Sequence, residues 1–127
     1  MEYVETQSAP AVERELATDV LELAGDYLGI PTEGVVIKWL ARPVLEPAAY
    51  DRLTRHRIDR KHGEGGHVRR AEPGTIWLTV GMRSRAICAT VVHELAHVGQ
   101  LRGGRTDPED ETEARAMERS FMDWLER

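Results

Sequence analysis

The stretch from Ser84 to about Arg102, SRAICATVVHELAHVGQLR, constrains the fold more than any other part of this chain. Read as a helix at about 100° per residue, it gathers Ile87, Val91, Leu95 and Val98 on one side. Ala86, Ala89, His93, His97 and Gln100 gather on the other. The first side needs a hydrophobic core behind it. The second, lined by histidines and small residues, leaves room for another helix to approach closely. Ser84 suits the N-cap, and Gly103-Gly104 ends the segment.

Within this helix, HELAH places His93 and His97 one turn apart, so that both imidazoles can address a single cation. Glu94 points about 100° away, where a general base for a water on that cation belongs. A catalytic zinc takes three protein ligands and keeps one position open. No histidine follows His97, and positions 100 and 103 are Gln and Gly, so the third ligand must come from acids in DPEDETEARAMERSF. The reading places Glu113 first, because it shares a side with Ala116, Ser120 and the Met117, Phe121, Trp124 stripe. Glu111 stands second, because it stacks over Arg115 and Glu118. Asp110 is third, its short side chain better suited to capping.

Elsewhere the periodicity predicts a helix over 11–28, with Val12, Leu16, Val20, Leu23 and Tyr27 as its apolar stripe. Pro10 stands at its start, and Gly29 with Pro31 at its end. GVVIKWL, 34–40, reads as a strand. Residues 41–66 are the least legible, with a short helix near Ala48–Arg57 and a loop at KHGEGG. His67–Ala71, a turn at Glu72-Pro73-Gly74 and Thr75–Val80 read as a hairpin, with Ile76, Leu78 and Val80 on one face and Thr75, Trp77 and Thr79 on the other. Asp107-Pro108 opens the last helix. The order of elements predicts an α+β fold in a single domain, 1–127, with 1–10 as a flexible tail.

The chain has 127 residues, enough for a core without disulfides, and Cys88 is its only cysteine. Cys88 falls on the apolar side of the motif helix, a packing position. The opening MEYVETQSAP lacks a basic n-region and an apolar h-region, and no apolar run approaches the ~20 residues of a membrane span. A soluble, cytoplasmic protein is expected, with no membrane partner.

The net charge of −5 is unevenly spread. Arg52–Arg70 carries seven basic residues against Asp59 and Glu64, and Asp107–Arg127 carries eight acids against three arginines. These read as solvated faces. Nucleic acid is not the expected partner, because the chain is acidic as a whole and its basic segment lacks interleaved aromatics. His56, His62 and His67 read as exposed, though His67 or Tyr50 could donate to an oxyanion.

HELAH, the strand TIWLTV before it, the Gly-Gly link and the acidic helix after it resemble the gluzincins, zinc peptidases whose third ligand is a glutamate on a following helix. The short chain looks most like their minimal members, the minigluzincins. The resemblance covers residues 75–124 by motif and 11–71 by layout. It implies a zincin-like architecture: a backing helix, a small twisted sheet with an edge strand, the active-site helix and a C-terminal glutamate helix. It also implies one Zn2+ per chain on His93, His97 and Glu113, with Glu94 as base. Thermolysin-like members carry an Asp four residues after the ligand glutamate. Here Met117 follows Glu113 and Arg115 follows Glu111 at that spacing, so a carboxylate orienting His93 must come from elsewhere or be absent.

The expected function is zinc-dependent peptide hydrolysis, with a peptide or protein substrate laid along residues 75–80 as an edge strand. The rival is a zincin-fold regulatory or interaction domain without proteolysis, which could associate with nucleic acid through residues 52–70. The presence of Glu94 argues against it, because metal binding alone does not require that residue.

Overall fold

The computed structural model describes residues 4–41, 66–69, 71–105 and 110–127, with the side chains of Val4 and Asp110 excepted. The expected short helix at Ala48–Arg57, the KHGEGG loop up to Gly65 and the Asp107-Pro108 helix start lie outside them. The described residues form an α+β fold of three helices and one four-stranded mixed sheet. In chain order these are β1 (Val4–Thr6), α1 (Ala11–Leu28), β2 (Val36–Ala41), β3 (Gly66–Arg69), β4 (Glu72–Thr79), α2 (Ser84–Arg102) and α3 (Asp110–Leu125). None of these helices is long and apolar enough to cross a membrane.

The strand order is β1-β2-β4-β3. β2 runs parallel to β4, with Trp39 opposite Leu78, and the outer strands are antiparallel to their neighbours. Side chains alternate across a strand, so Ile37, Trp39, Val68, Ile76 and Leu78 share one face. That face meets the core, which α2 completes with Ile87, Cys88, Val91, Val92, Leu95 and Val98. α2 packs against β3 and β4 on one side and against α1 and α3 on others, the central position its two faces imply. Cys88 is buried there, as expected.

Three strand expectations are corrected. Val4–Thr6 is not a loose tail but pairs with Trp39–Ala41 of β2. The hairpin turns earlier than expected, since Arg69 already pairs with Glu72. β4 passes from Ile76 to Glu72 while β3 passes only from Val68 to Arg69, so Pro73, Gly74 and Thr75 have no partners on β3. This irregularity accommodates Pro73, which has no N–H for the ladder. Finally, Thr75–Val80 is not an edge. β4 is flanked by β2 and β3, and among the described residues the sheet edges are β1 and β3.

Helix bounds follow the sequence more closely than helix faces do. α1 spans Ala11–Leu28 and ends on Gly29 in the left-handed region, φ 69°, as the Gly-Pro stop implies. Its buried residues are Ala17, Val20, Leu21, Ala24 and Gly25, while Val12, Leu23 and Tyr27 are exposed. The helix is thus rolled by roughly a quarter turn from its largest apolar side chains. α3 departs in the same way. Ala114, Phe121 and Met122 are buried, whereas Trp124, Ala116 and Ser120 are exposed. Ala86, expected to meet that helix, is exposed too. Tyr27 and Trp124 stack on each other at the surface, ring centroids 5.0 Å apart, and Tyr27 Oη lies 2.7 Å from Ser120 Oγ. At the start of α2 the cap position is Arg83 rather than Ser84, which is the first helical residue.

Candidate metal centre

α2 presents His93 and His97 on one side, their rings 4.9 Å apart and nearly perpendicular. The roll of α3 brings Glu111 to both. Glu111 Oε1 lies 2.8 Å from His93 Nε2, and Oε2 lies 3.0 Å from His97 Nε2. Ligand atoms of the three residues all fall within 4.8 Å of one another, close enough to bind a metal ion. The side chains of His93, His97 and Glu111 are 14%, 21% and 28% exposed, so the cluster is sheltered yet open to solvent.

This corrects the sequence order of the two glutamates. Glu113 does not reach the histidines. Its carboxylate accepts from Arg105 Nη1 at 2.7 and 2.8 Å and from Gln100 Nε2 at 3.2 Å. Glu111 stacks over Arg115 and Glu118, so turning it inward carries both toward the interior, at the cost of burying charge. That cost is avoided, because neither charge is buried without a partner. Arg115 stays more than half exposed, with Nε 3.5 Å from Glu111 Oε1. Glu118 Oε1 lies 3.0 Å from His93 Nδ1. Asp110 belongs to α3, but its side chain is outside the described set.

Glu118 is therefore the residue that holds the outer nitrogen of His93, seven positions after Glu111 rather than four. An ionised carboxylate has no hydrogen to give, so His93 Nδ1 donates. On His97 the same place is taken by Gln100, whose Oε1 is 2.8 Å from Nδ1. Such outer partners fix the tautomer and orientation of a ligating imidazole. Sequence reasoning missed both. The spacing Glu111–Glu118, two helical turns, was the available signal for the first, and Gln100, one turn after His97, was the signal for the second.

Glu94 is 7% exposed. Burial pushes its carboxyl up to about 7; the charge of His97 opposes this, and those of Glu111 and Glu118 add to it. Hydrogen bonds from Arg105, then from Gln100, hold Glu113 below the usual carboxylate range. His67 stands across from Trp77 on the sheet face turned away from α2, and accepts a hydrogen bond from Arg69 Nε at 3.2 Å. It is not placed to serve the cluster. Tyr50, His56 and His62, with most of the basic 52–70 segment, lie outside the described residues. Comparison with protein-family models, curated proteins and solved structures returned no match.

Proposed function

We propose that this chain is a small zinc-dependent metallopeptidase of the gluzincin type, with His93, His97 and Glu111 as metal ligands and Glu94 as general base. The observation that carries the reading is the convergence of two imidazole nitrogens and one carboxylate within 4.8 Å. Two nitrogens and one oxygen form a donor set typical of catalytic zinc, with room for a fourth ligand. When bound, zinc supplies a Lewis acid that polarises a carbonyl and lowers the pKa of a water toward ~7.

The remaining chemistry belongs to side chains of the protein. Glu94, sheltered from bulk water and with its carboxyl raised to about 7, is suited to take a proton from the attacking water and return it to the leaving amine. Glu118 and Gln100, bonded to the outer nitrogens, would hold the two imidazoles in place for a cation. With β4 inside the sheet, the edge strand among the described residues that packs against α2 is β3. Its Gly66 lies so close to α2 that a Cβ there would come within 3.0 Å of Thr90 Cγ2, one turn before His93 and Glu94. A peptide added to the outer side of β3 would run beside the metal ligands.

Metal analysis of purified protein combined with a peptide-library assay tests this. About one zinc per chain is expected, with hydrolysis abolished by chelation and restored by zinc. Zinc-loaded protein that cleaves nothing across a broad library would leave a metal-binding domain and end the peptidase reading.

A further inference from the structure

Glu113, turned away from the two histidines by the roll of α3, has work of its own. We propose that Glu113, clamped by Arg105, selects the ligand-competent tautomer of His97 by fixing the side-chain amide of Gln100. The inference rests on His97 Nε2 being a metal ligand, and it makes Glu113 a positioning residue rather than a ligand.

The argument follows from what each group can give or take. An ionised carboxylate only accepts, and Arg105 Nη1, at 2.7 and 2.8 Å from its two oxygens, keeps Glu113 ionised. The group of Gln100 that faces Glu113 at 3.2 Å must therefore be its NH2. The amide is planar, so its oxygen must point the other way, and it does, toward His97 Nδ1 at 2.8 Å. An amide oxygen also only accepts, which places the proton of neutral His97 on Nδ1. Nε2 is then free to keep its lone pair for a cation, and without one Glu111 Oε2, 3.0 Å away, is the acceptor that competes for a proton on Nε2. Turning the amide over would put its NH2 against Nδ1, move the imidazole proton to Nε2 and block ligation by that atom. The amide cannot turn over without setting its oxygen against the Glu113 carboxylate.

The chain of donors thus runs Arg105, Gln100 and His97, with Glu113 accepting from the first two. It also ties the metal centre to the link between α2 and α3. Arg105 follows the Gly103-Gly104 pair, and its backbone N–H donates to Gln100 O at 2.9 Å. His93 needs no such relay, because Glu118 is a carboxylate and can only accept.

The test separates tautomer from coordination. In metal-free Glu111→Ala protein, which lacks the competing acceptor at Nε2, 15N NMR above the histidine titration range should show His97 protonated on Nδ1. Adding Glu113→Gln frees the amide, and the signal should shift toward the Nε2-protonated form while His93 does not change. An unchanged His97 tautomer overturns the proposal, and this readout stands whether or not the protein binds zinc. In the otherwise native chain, chelator competition should show Glu113→Gln weakening zinc binding by roughly 10-fold. A loss as large as that of Glu111→Ala would make Glu113 a ligand after all and overturn the relay. Absence of zinc from the native protein would instead refute the function proposed above, leaving the tautomer result to decide the relay.

Discussion

Replacing Glu111 by Gln removes one negative charge from the centre of the cluster while keeping the shape of the side chain. The amide can still pack between His93 and His97, where the carboxylate oxygens lie at 2.8 and 3.0 Å. Without metal the change should matter little. Glu111 is 28% exposed and its ion pair with Arg115 spans 3.5 Å, so up to ~1 kcal/mol is at stake. With metal the change should be large. A ligand that binds only the folded state stabilises it by ~2.7 kcal/mol at a concentration 100 times its Kd. In a domain of this size that corresponds to a rise in Tm of about 10 °C. Differential scanning fluorimetry with and without zinc should therefore show a rise of that order for the native chain. Glu111→Gln should keep a nearly native metal-free Tm and lose most of the rise. Glu113→Gln should retain a substantial part of it. A full zinc-dependent rise in Glu111→Gln would refute the assignment of Glu111, and with it the roll of α3.

Glu94→Gln should retain zinc and fold but lose at least ~100-fold in peptide hydrolysis, since the amide cannot take a proton; activity within tenfold of native would exclude Glu94 as the base. The same substitution has a pH signature in the metal-free protein. The folded state holds the Glu94 proton up to about pH 7, whereas an unfolded carboxyl releases it near 4.5, so stability present at low pH is lost as pH rises between these values. Denaturant unfolding should then find Glu94→Gln stabler than native at pH 8 and similar at pH 4, and an equal offset at both would refute the buried, protonated carboxyl. Glu118→Ala should weaken zinc binding by ~10–100-fold through His93, measured by chelator competition; unchanged affinity would deny it that role. Gly25→Ala should destabilise by ~1–3 kcal/mol in the same unfolding assay, because its Cβ would clash with Thr32 Cγ2 and fall 3.0 Å from Ile30 O; native stability would show that the α1 end can yield.

What the sequence determined is what lies within one element. His93 and His97 are brought together by the pitch of a single helix, and no packing is needed to place them on one side. The ends of α1 and the existence of α2 are local too, set by proline, glycine and apolar period. The division of β4 into an Ile76, Leu78 face toward α2 and an opposite Trp77 face follows from the alternation of a strand. Which strand lies at an edge does not, because pairing joins Thr6 to Trp39 and Ile37 to Ile76 across long separations. Nor does the roll of a helix. In both α1 and α3 the apolar stripe suggested one face, and the structure keeps only part of it, burying Val20 and Phe121 while Val12, Leu23, Tyr27 and Trp124 stay exposed. α1 turns Ala17, Ala24 and Gly25 inward with Val20 and Leu21, where small side chains let backbones approach closely. α3 turns Glu111 and Glu118 toward His93 and His97, because a carboxylate meeting an imidazole costs far less than one buried alone. The choice between Glu111 and Glu113 was therefore never a property of the glutamate helix. It depended on what the neighbouring helix offered to pair with, and only the tertiary structure brings that partner into place.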